Sequence, residues 1–257
     1  MKKYLALIAL ALALPSAPVK AGIVGSAHDF SLSIHSSPTV GGTAVTTLTS
    51  GTGATNAWNS RAGVCSVCHS AHNTDPNQNA PLWQHYTPAQ TYTTYSSATL
   101  VGTTSVAAIS VTRACLSCHD GQTAINASFK TPVPTKNAGY VSGSKSFGTD
   151  LHNVHPVGIQ YDSSTYVAQH LNDPGQTLSA LWSTIAPGTD AANLAPGLEG
   201  LTIAKALTRN GAVECVSCHD PHFNLGATGP LLHSSTKISG VDVNGRGSTL
   251  CRTCHNK

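Results

Sequence analysis

Hydrophobic positions along this chain form short, irregular groups, separated by stretches in which Ser, Thr, Gly, Ala and Asn dominate. No long stretch repeats apolar residues at helical spacing, and aromatic residues make up only 5% of the chain. Such a chain cannot build a large conventional core. Thr43 to Ser50, rich in Thr and Val, favours a short strand, whereas Gly51-Thr52-Gly53 and Pro132-Val133-Pro134 mark loops. The pattern predicts mostly irregular loops with few short strands.

The longest apolar run stands at the amino terminus, where Leu5 to Leu14 follows the basic start Met1-Lys2-Lys3. Small residues in Val19-Lys20-Ala21 then suit a cleavage site, and Ala17 is a second candidate. The run is too short to span a membrane. We therefore predict a signal peptide over residues 1–21 and an exported chain from Gly22 that is not inserted in a membrane.

All eight cysteines belong to four copies of Cys-x-x-Cys-His, which is the attachment signature of c-type haem. Two thiols one helical turn apart can form thioethers to one porphyrin, and the next histidine then lies under the iron. The sequence predicts four c-type haems, with short helices at the motifs and porphyrins supplying the missing apolar area. The predicted attachment residues are Cys65, Cys68, Cys115, Cys118, Cys215, Cys218, Cys251 and Cys254, and the predicted proximal iron ligands are His69, His119, His219 and His255.

Other uses of paired cysteines are weaker alternatives. Two zinc ions could be held by four such pairs, but zinc does not require the histidine that follows each pair here. A thioredoxin-like redox pair would occur once, within a βαβ pattern. Disulfides suit exported proteins but explain neither the spacing nor the histidines. We expect no disulfide and no lipid-anchored amino terminus.

The distal faces of the irons call for further histidines. The chain has 13 histidines, and its single methionine, Met1, falls within the signal peptide. Methionine ligation, which raises haem potentials, is thus unavailable, and we expect bis-histidine, six-coordinate haems. His72 and His222 each stand three residues after a proximal histidine. Neither can swing round to its own iron, but each can reach the iron of a neighbouring haem.

Two more distal candidates precede the motif pairs. They are His28, in Ala-His-Asp-Phe, and His155, in His-Pro-Val-Gly, where His152 is the main rival. His85, beside Trp83, is a reserve. The sequence predicts ordinary polar roles for the remaining three, which are His35, His170 and His233.

A weak internal duplication organises the chain. His69-Ser70-Ala71-His72 and His219-Asp220-Pro221-His222 are each followed by a similar phrase, Pro81-Leu82-Trp83-Gln84-His85 and Pro230-Leu231-Leu232-His233. We predict two haem pairs, over 65–119 and 215–255, in a single tetrahaem domain spanning residues 22–257. Under this duplication, His28 and His155 are counterparts.

The net charge and the fraction of charged residues limit the kinds of partner that this chain can bind. Loss of Lys2, Lys3 and Lys20 with the signal lowers the 14 Lys and Arg residues to 11, equal to the 11 Asp and Glu residues. No basic patch indicates a nucleic-acid partner. Charged residues form 10% of the chain, against about 25% in ordinary soluble domains. Either a hydroxyl-rich exported surface or burial against further copies of the chain would explain this composition.

The order of these phrases resembles the exported tetrahaem cytochromes related to outer-membrane cytochrome E, from about His28 to Lys257. The phrases are Ala-His-Asp-Phe, Cys-His-Ser-Ala-His, Pro-Leu-Trp-Gln-His, Cys-Leu-Ser-Cys-His-Asp-Gly, His-Pro-Val-Gly, Cys-Val-Ser-Cys-His-Asp-Pro-His and Leu-Cys-Arg-Thr-Cys-His-Asn-Lys. The resemblance implies a loop-rich multihaem c-type cytochrome fold, stacked bis-histidine haems and head-to-tail polymerisation into extracellular filaments. It also implies that one histidine crosses to a haem of the adjacent subunit, and His28 is our candidate.

Two functional hypotheses follow. The first is a non-enzymatic subunit of an extracellular or cell-surface filament that passes electrons to other redox proteins or to an external acceptor. The observations that support it are the four motifs, the low fraction of charged residues and the histidines beyond those in the motifs. The second is a monomeric periplasmic electron carrier between a quinol oxidase and a terminal reductase, although such carriers usually present charged docking patches. An enzyme would need one open iron, and we expect none because distal candidates outnumber irons.

Overall fold

The structure, a computed structural model, describes twelve parts of the 257-residue chain. They are residues 23, 26, 28–30, 39–40, 43–44, 63–132, 140–164, 166–185, 197–198, 200–222, 231–233 and 249–256. The predicted signal peptide and His35 lie outside them. In the described parts, no helix is long and apolar enough to cross a membrane.

The strands of the described residues are two residues long and form small sheets. β1 (Thr39–Val40) pairs antiparallel with β2 (Thr43–Ala44), and β3 (Thr93–Thr94) pairs parallel with β4 (Asp150–Leu151). β5 (Ile159–Gln160), β6 (Thr208–Arg209) and β7 (Ala212–Val213) form an antiparallel sheet with β7 in the middle. Of the strand predicted over Thr43 to Ser50, the first two residues form β2, and residues 45–50 lie outside the described parts.

The helices of the described residues are short as well. They are α1 (Val111–His119), α2 (Leu178–Ile185), α3 (Ile203–Leu207) and α4 (Thr249–Cys254), with 3-10 turns at Gly143–Lys145 and Cys215–Ser217. α1, α4 and the second 3-10 turn lie on Cys-x-x-Cys-His motifs. The first motif is a succession of turns.

The larger apolar cluster lies beside the last motif. It contains Tyr161, Leu178, Leu181, Trp182, Ile203, Ala206 and Leu207, with Cys254 packed against it. The Trp182 indole N–H donates to Thr253 Oγ1 at 3.0 Å, and the Thr253 hydroxyl donates to the Thr249 carbonyl at 2.8 Å. Packing of α2 and α3 thus fixes the position of α4.

α1 is held by its cap and by a buried arginine. Ser110, extended at φ −71° and ψ 149°, accepts a hydrogen bond from the Arg113 backbone N–H and so caps the helix. The Arg113 side chain is 8% exposed. Its guanidinium donates to the carbonyls of Pro88, Gln90, Val106 and Ala107 at 2.8 to 3.2 Å. One side chain therefore ties two loops to the helix of the second motif.

Candidate haem sites

The four motifs are numbered here in chain order, from motif 1 (65–69) and motif 2 (115–119) to motif 3 (215–219) and motif 4 (251–255). In motifs 1, 3 and 4 the histidine N–H donates to the first cysteine carbonyl, at 2.8 Å for His69, 3.0 Å for His219 and 2.9 Å for His255. In motif 2 the histidine ends α1. Each motif is thus one tight turn, as double thioether attachment requires.

Imidazole rings from distant parts of the chain meet in three pairs, each containing one motif histidine. His69 faces His222 with ring centres 6.0 Å apart, His119 faces His28 at 6.1 Å, and His255 faces His155 at 6.2 Å. The ring planes are inclined by 26°, 59° and 74° respectively. The pairs join motif 1 to motif 3, motif 2 to the amino-terminal region, and motif 4 to the long segment between the motif pairs.

These separations fit a haem iron. Two imidazoles that bind one iron from opposite sides through bonds of about 2.0 Å have ring centres about 6 Å apart. The differing inclinations are compatible with this geometry, because each ring can turn about its own iron–nitrogen bond. Direct face-to-face packing would bring the rings much closer. The three separations therefore leave room for one metal ion between each pair. Ordinary ring contacts in this structure have similar separations, such as 5.9 Å between His119 and Phe147.

The Nδ1 atoms of these rings are held by the chain. His69 Nδ1 donates to the Pro81 carbonyl at 2.6 Å, His119 Nδ1 to the Lys145 carbonyl at 2.7 Å, and His155 Nδ1 to the Pro156 carbonyl at 3.0 Å. His222 Nδ1 lies 3.6 Å from Asp220 Oδ1. A hydrogen bond at Nδ1 leaves the lone pair on Nε2, which is the arrangement that a metal-binding histidine uses.

The predicted distal residues are thus placed unequally. His28, His155 and His222 each face a motif histidine. His72 is exposed, and among the described residues its ring is not placed against a motif histidine. His28, the candidate to cross to another subunit, faces His119 of its own chain.

The two reserve histidines have other partners. His85 is 1% exposed, with Nδ1 3.0 Å from the Tyr86 carbonyl and Nε2 3.2 Å from the Ala124 carbonyl. Burial lowers the pKa of His85. His152 Nδ1 lies 2.6 Å from Asp150 Oδ1 on the surface, whereas its rival His155 faces His255. Carbonyl oxygens therefore lie beside both ring nitrogens of His85, and the neutral ring can donate to only one of them.

The cysteine thiols bring successive motifs together. A hydrogen bond between Cys115 and Cys215, together with burial, raises the pKa of Cys115, and the same bond lowers the pKa of Cys215. Burial and then the neighbouring Cys118 raise the pKa of Cys68 to about 12. Burial and then Cys251 raise the pKa of Cys218 to about 11. Motif 1 therefore adjoins motif 2, motif 2 adjoins motif 3, and motif 3 adjoins motif 4.

A buried carboxyl reinforces the contact between motifs 2 and 3. Glu214 Oε2 accepts a hydrogen bond from the Thr112 N–H at 3.2 Å, and the Cys215 N–H donates to Thr112 Oγ1 at 3.1 Å. The Glu214 N–H also donates to Ser217 Oγ at 2.9 Å. Burial raises the pKa of Glu214, an effect that the hydrogen bonds from Thr112 oppose.

Three motifs are each hydrogen-bonded to a three-residue segment that the sequence did not reveal. We call these the support segments: Leu82–Gln84 at motif 1, Leu231–His233 at motif 3 and His170–Asn172 at motif 4. The first residue of each segment has a φ of 55°. Its carbonyl accepts the N–H of the residue after the motif histidine, from Ser70 at 3.0 Å, Asp220 at 2.7 Å and Asn256 at 3.2 Å. The N–H of its last residue donates to the second cysteine carbonyl, at 2.9 Å for Gln84, 3.0 Å for His233 and 2.7 Å for Asn172.

The support segments correct one sequence-based expectation, the ordinary polar role of His233. His233 corresponds in structure to Gln84, because both N–H groups bond the second cysteine carbonyl of their motif. His233 is also 5% exposed, with Nε2 2.8 Å from the Val216 carbonyl, so it is not an ordinary surface residue. The shared Pro-Leu dipeptides were the only sign of the segments in the sequence.

Within the described parts, which include all eight cysteines, no group of three or more Cys, His, Asp and Glu side chains is positioned to hold a metal ion. A comparison with protein-family models finds no match to this chain, and a comparison with curated proteins finds none either.

Proposed function

We propose that this protein is an electron-transfer protein with four covalently attached, bis-histidine c-type haems. The observation that carries the proposal is the set of three imidazole pairs with ring centres 6.0 to 6.2 Å apart. For the fourth iron we propose His219 with His72, because the duplication makes His72 the counterpart of His222. The fold is then that of a multihaem c-type cytochrome, in one tetrahaem domain over residues 22–257.

The chain's own residues would hold and tune these groups. Haem supplies a one-electron iron couple, and the protein sets its potential through axial ligands, hydrogen bonds and burial. The carbonyls of Pro81, Lys145 and Pro156 orient three ligand rings. Leu82, which is 57% exposed, provides apolar surface close to His69. Phe147, which is 45% exposed, does so close to His119.

The test begins with the exported, mature protein. Haem content by the pyridine haemochrome assay should be four per chain, and the ferric protein should have only low-spin EPR signals. Carbon monoxide added to the reduced protein should leave the Soret band unchanged, because every iron has two histidine ligands. Absence of covalent haem would refute the proposal. A carbon monoxide complex would instead indicate an open iron and reopen the enzyme hypothesis.

We further propose that the protein works as the head-to-tail subunit of an extracellular filament that delivers electrons to other redox proteins or an external acceptor. One support is the low fraction of charged residues, which make up 10% of the chain. The other is the adjacency of motifs 1 to 4, which would keep haems close to one another. Cryo-electron microscopy of material sheared from producing cells should show filaments with a continuous axial row of haem density.

One observation favours a monomeric periplasmic carrier as the second candidate. His28 faces His119 of the same chain, so three motif histidines have partners without a neighbouring subunit. A dispersed protein found only in the periplasm, with four six-coordinate haems, would select the carrier.

A further inference from the structure

The support segments solve a hydrogen-bonding problem at the haem turns. In a continuing helix, the N–H after the motif histidine would bond the carbonyl of the residue after the first cysteine. Motif 2 keeps this bond, since the Asp120 N–H donates to the Leu116 carbonyl at 2.8 Å. At motifs 1, 3 and 4 that N–H goes to the support segment. The carbonyls of Ser66, Val216 and Arg252 therefore need another donor.

A side chain of the support segment supplies that donor each time. Gln84 Nε2 donates to the Ser66 carbonyl and, at 3.2 Å, to the Val67 carbonyl. Asn172 Nδ2 donates to the Arg252 and Thr253 carbonyls at 2.8 and 3.2 Å. His233 Nε2 donates to the Val216 carbonyl at 2.8 Å. Three residue types thus perform one task at equivalent positions.

His233 shows that the donor is what matters. Its Nδ1 is buried without a hydrogen-bond partner among the described residues, so the bond from Nε2 is its single polar contact there. Burial lowers the pKa of His233, which favours the neutral ring with its proton on Nε2. The single hydrogen bond of this buried ring goes to the Val216 carbonyl. Leaving that carbonyl without a donor would therefore cost free energy.

The segments also connect to iron ligation. The residue before the motif 1 segment is Pro81, whose carbonyl accepts the hydrogen bond from His69 Nδ1. A residue at φ 55° begins each segment, and leucine and histidine adopt this left-handed conformation only at a cost in energy. The side-chain bonds at the other end of the segment help to offset that cost.

We propose that Gln84, Asn172 and His233 are positioning residues that set the orientation of the proximal histidines of motifs 1, 4 and 3. This inference rests on the proposed function, because it concerns how haem iron is bound. Loss of the Gln84 donor should loosen the segment and weaken the hydrogen bond from His69 Nδ1 to Pro81. A less basic His69 then raises the midpoint potential of one haem.

The experiment compares variants of the exported holoprotein at motif 1. Gln84→Leu removes the donor, and Gln84→His installs the residue found at the motif 3 position. Gln78→Leu is the matched control, because Gln78 Nε2 donates to the Ala108 carbonyl at 3.4 Å, outside the motifs. Haem content, the low-spin EPR signals and the four midpoint potentials are measured for each protein.

In Gln84→Leu we expect one EPR signal to move and one potential to rise, while Gln84→His and Gln78→Leu match the wild type. Loss of one haem in Gln84→Leu, with four retained in Gln84→His, supports the same role. Unchanged spectra and potentials in Gln84→Leu overturn the inference, and so does a Gln84→His variant as altered as Gln84→Leu. A wild-type protein without covalent haem would instead show that the proposed function itself fails.

Discussion

At the scale of single residues, histidines are distinguished by what their nitrogens contact. His69, His119 and His155 each donate Nδ1–H to a backbone carbonyl and so have Nε2 available for a metal. His85 has carbonyl oxygens near both nitrogens. His152 has an exposed carboxylate at Nδ1 but faces no motif histidine among the described residues. Hydrogen bonding thus sets His85 apart from the ligand candidates, whereas His152 differs from them in having no facing motif histidine among the described residues.

Replacement of one distal histidine should open one iron. In His222→Ala, the iron at His69 loses its second ring, so about a quarter of the haem should bind carbon monoxide when reduced. Difference spectroscopy of the reduced protein measures this fraction. His152→Ala is the matched control and should bind none. If His222→Ala behaves like the control, His222 is not an iron ligand.

The Glu214 carboxyl predicts a pH dependence of stability. Burial raises its folded pKa above the usual value of 4.5, so the folded state holds its proton more tightly than the unfolded state. Its contribution to the free energy of unfolding is therefore greatest below pH 4.5 and decreases as pH rises through the folded pKa. The Glu214→Gln side chain keeps an acceptor for Thr112 and does not ionise. The free energy of unfolding of this variant, relative to that of the wild type, should therefore increase as pH rises from 4.5 through the folded pKa of Glu214.

Denaturant unfolding of both proteins between pH 4 and pH 8 would measure this difference. Asp150→Asn provides a comparison of opposite sign, because hydrogen bonds from His152 lower the pKa of Asp150. That contribution is lost as pH falls below the usual Asp pKa of 3.8 and through the folded pKa of Asp150, so unfolding of Asp150→Asn is also measured below pH 3.8. A Glu214→Gln difference that does not vary with pH would contradict the expectation.

At the scale of elements, α1 depends on Arg113 more than on its own short length. The buried guanidinium donates to four carbonyls of two loops. Arg113→Met keeps the apolar stem but leaves these carbonyls without their donors. At about 1–3 kcal/mol for each buried group left unsatisfied, we expect the free energy of unfolding to fall by about 3 kcal/mol or more.

Unfolding in guanidinium chloride, monitored by circular dichroism, measures that loss of stability. Arg113→Lys is the control, since an ammonium retains charge and some donors but not the planar fork, and it should lose less. Equal stability of the wild type and the methionine variant would mean that the loops are held by other contacts.

At the scale of the whole molecule, the position of His28 decides how subunits are related. Because His28 faces His119 within one chain, a dispersed monomer should have four six-coordinate haems and bind no carbon monoxide when reduced. His28→Ala should keep four haems and open one iron, whether or not filaments form. Spectra of monomers separated by size-exclusion chromatography provide the test. If wild-type monomers bind carbon monoxide and filaments do not, the ligand crosses between subunits instead.

Much of the local organisation could be anticipated from the sequence, and much of the packing could not. The Pro-Leu phrases signalled the repeat, and their register sets His233 opposite Gln84. The shared task of these two residues emerges only from the structure, in which each N–H reaches the second cysteine carbonyl of its motif. The motif 4 segment, His170–Asn172, precedes its motif by about 80 residues and has no Pro-Leu dipeptide. No local pattern identifies a contact of that kind.

The sequence alone determined the candidate haem-attachment residues, because thioether attachment and proximal ligation need two cysteines and a histidine at fixed local spacing. It also restricted the candidate distal ligands to histidine, because the only methionine lies in the predicted signal peptide. The tertiary structure alone decided that His28 faces His119, His222 faces His69 and His155 faces His255. These pairings join residues about 90 to 150 positions apart, and at such separations the path of the loops, not local spacing, brings two rings together.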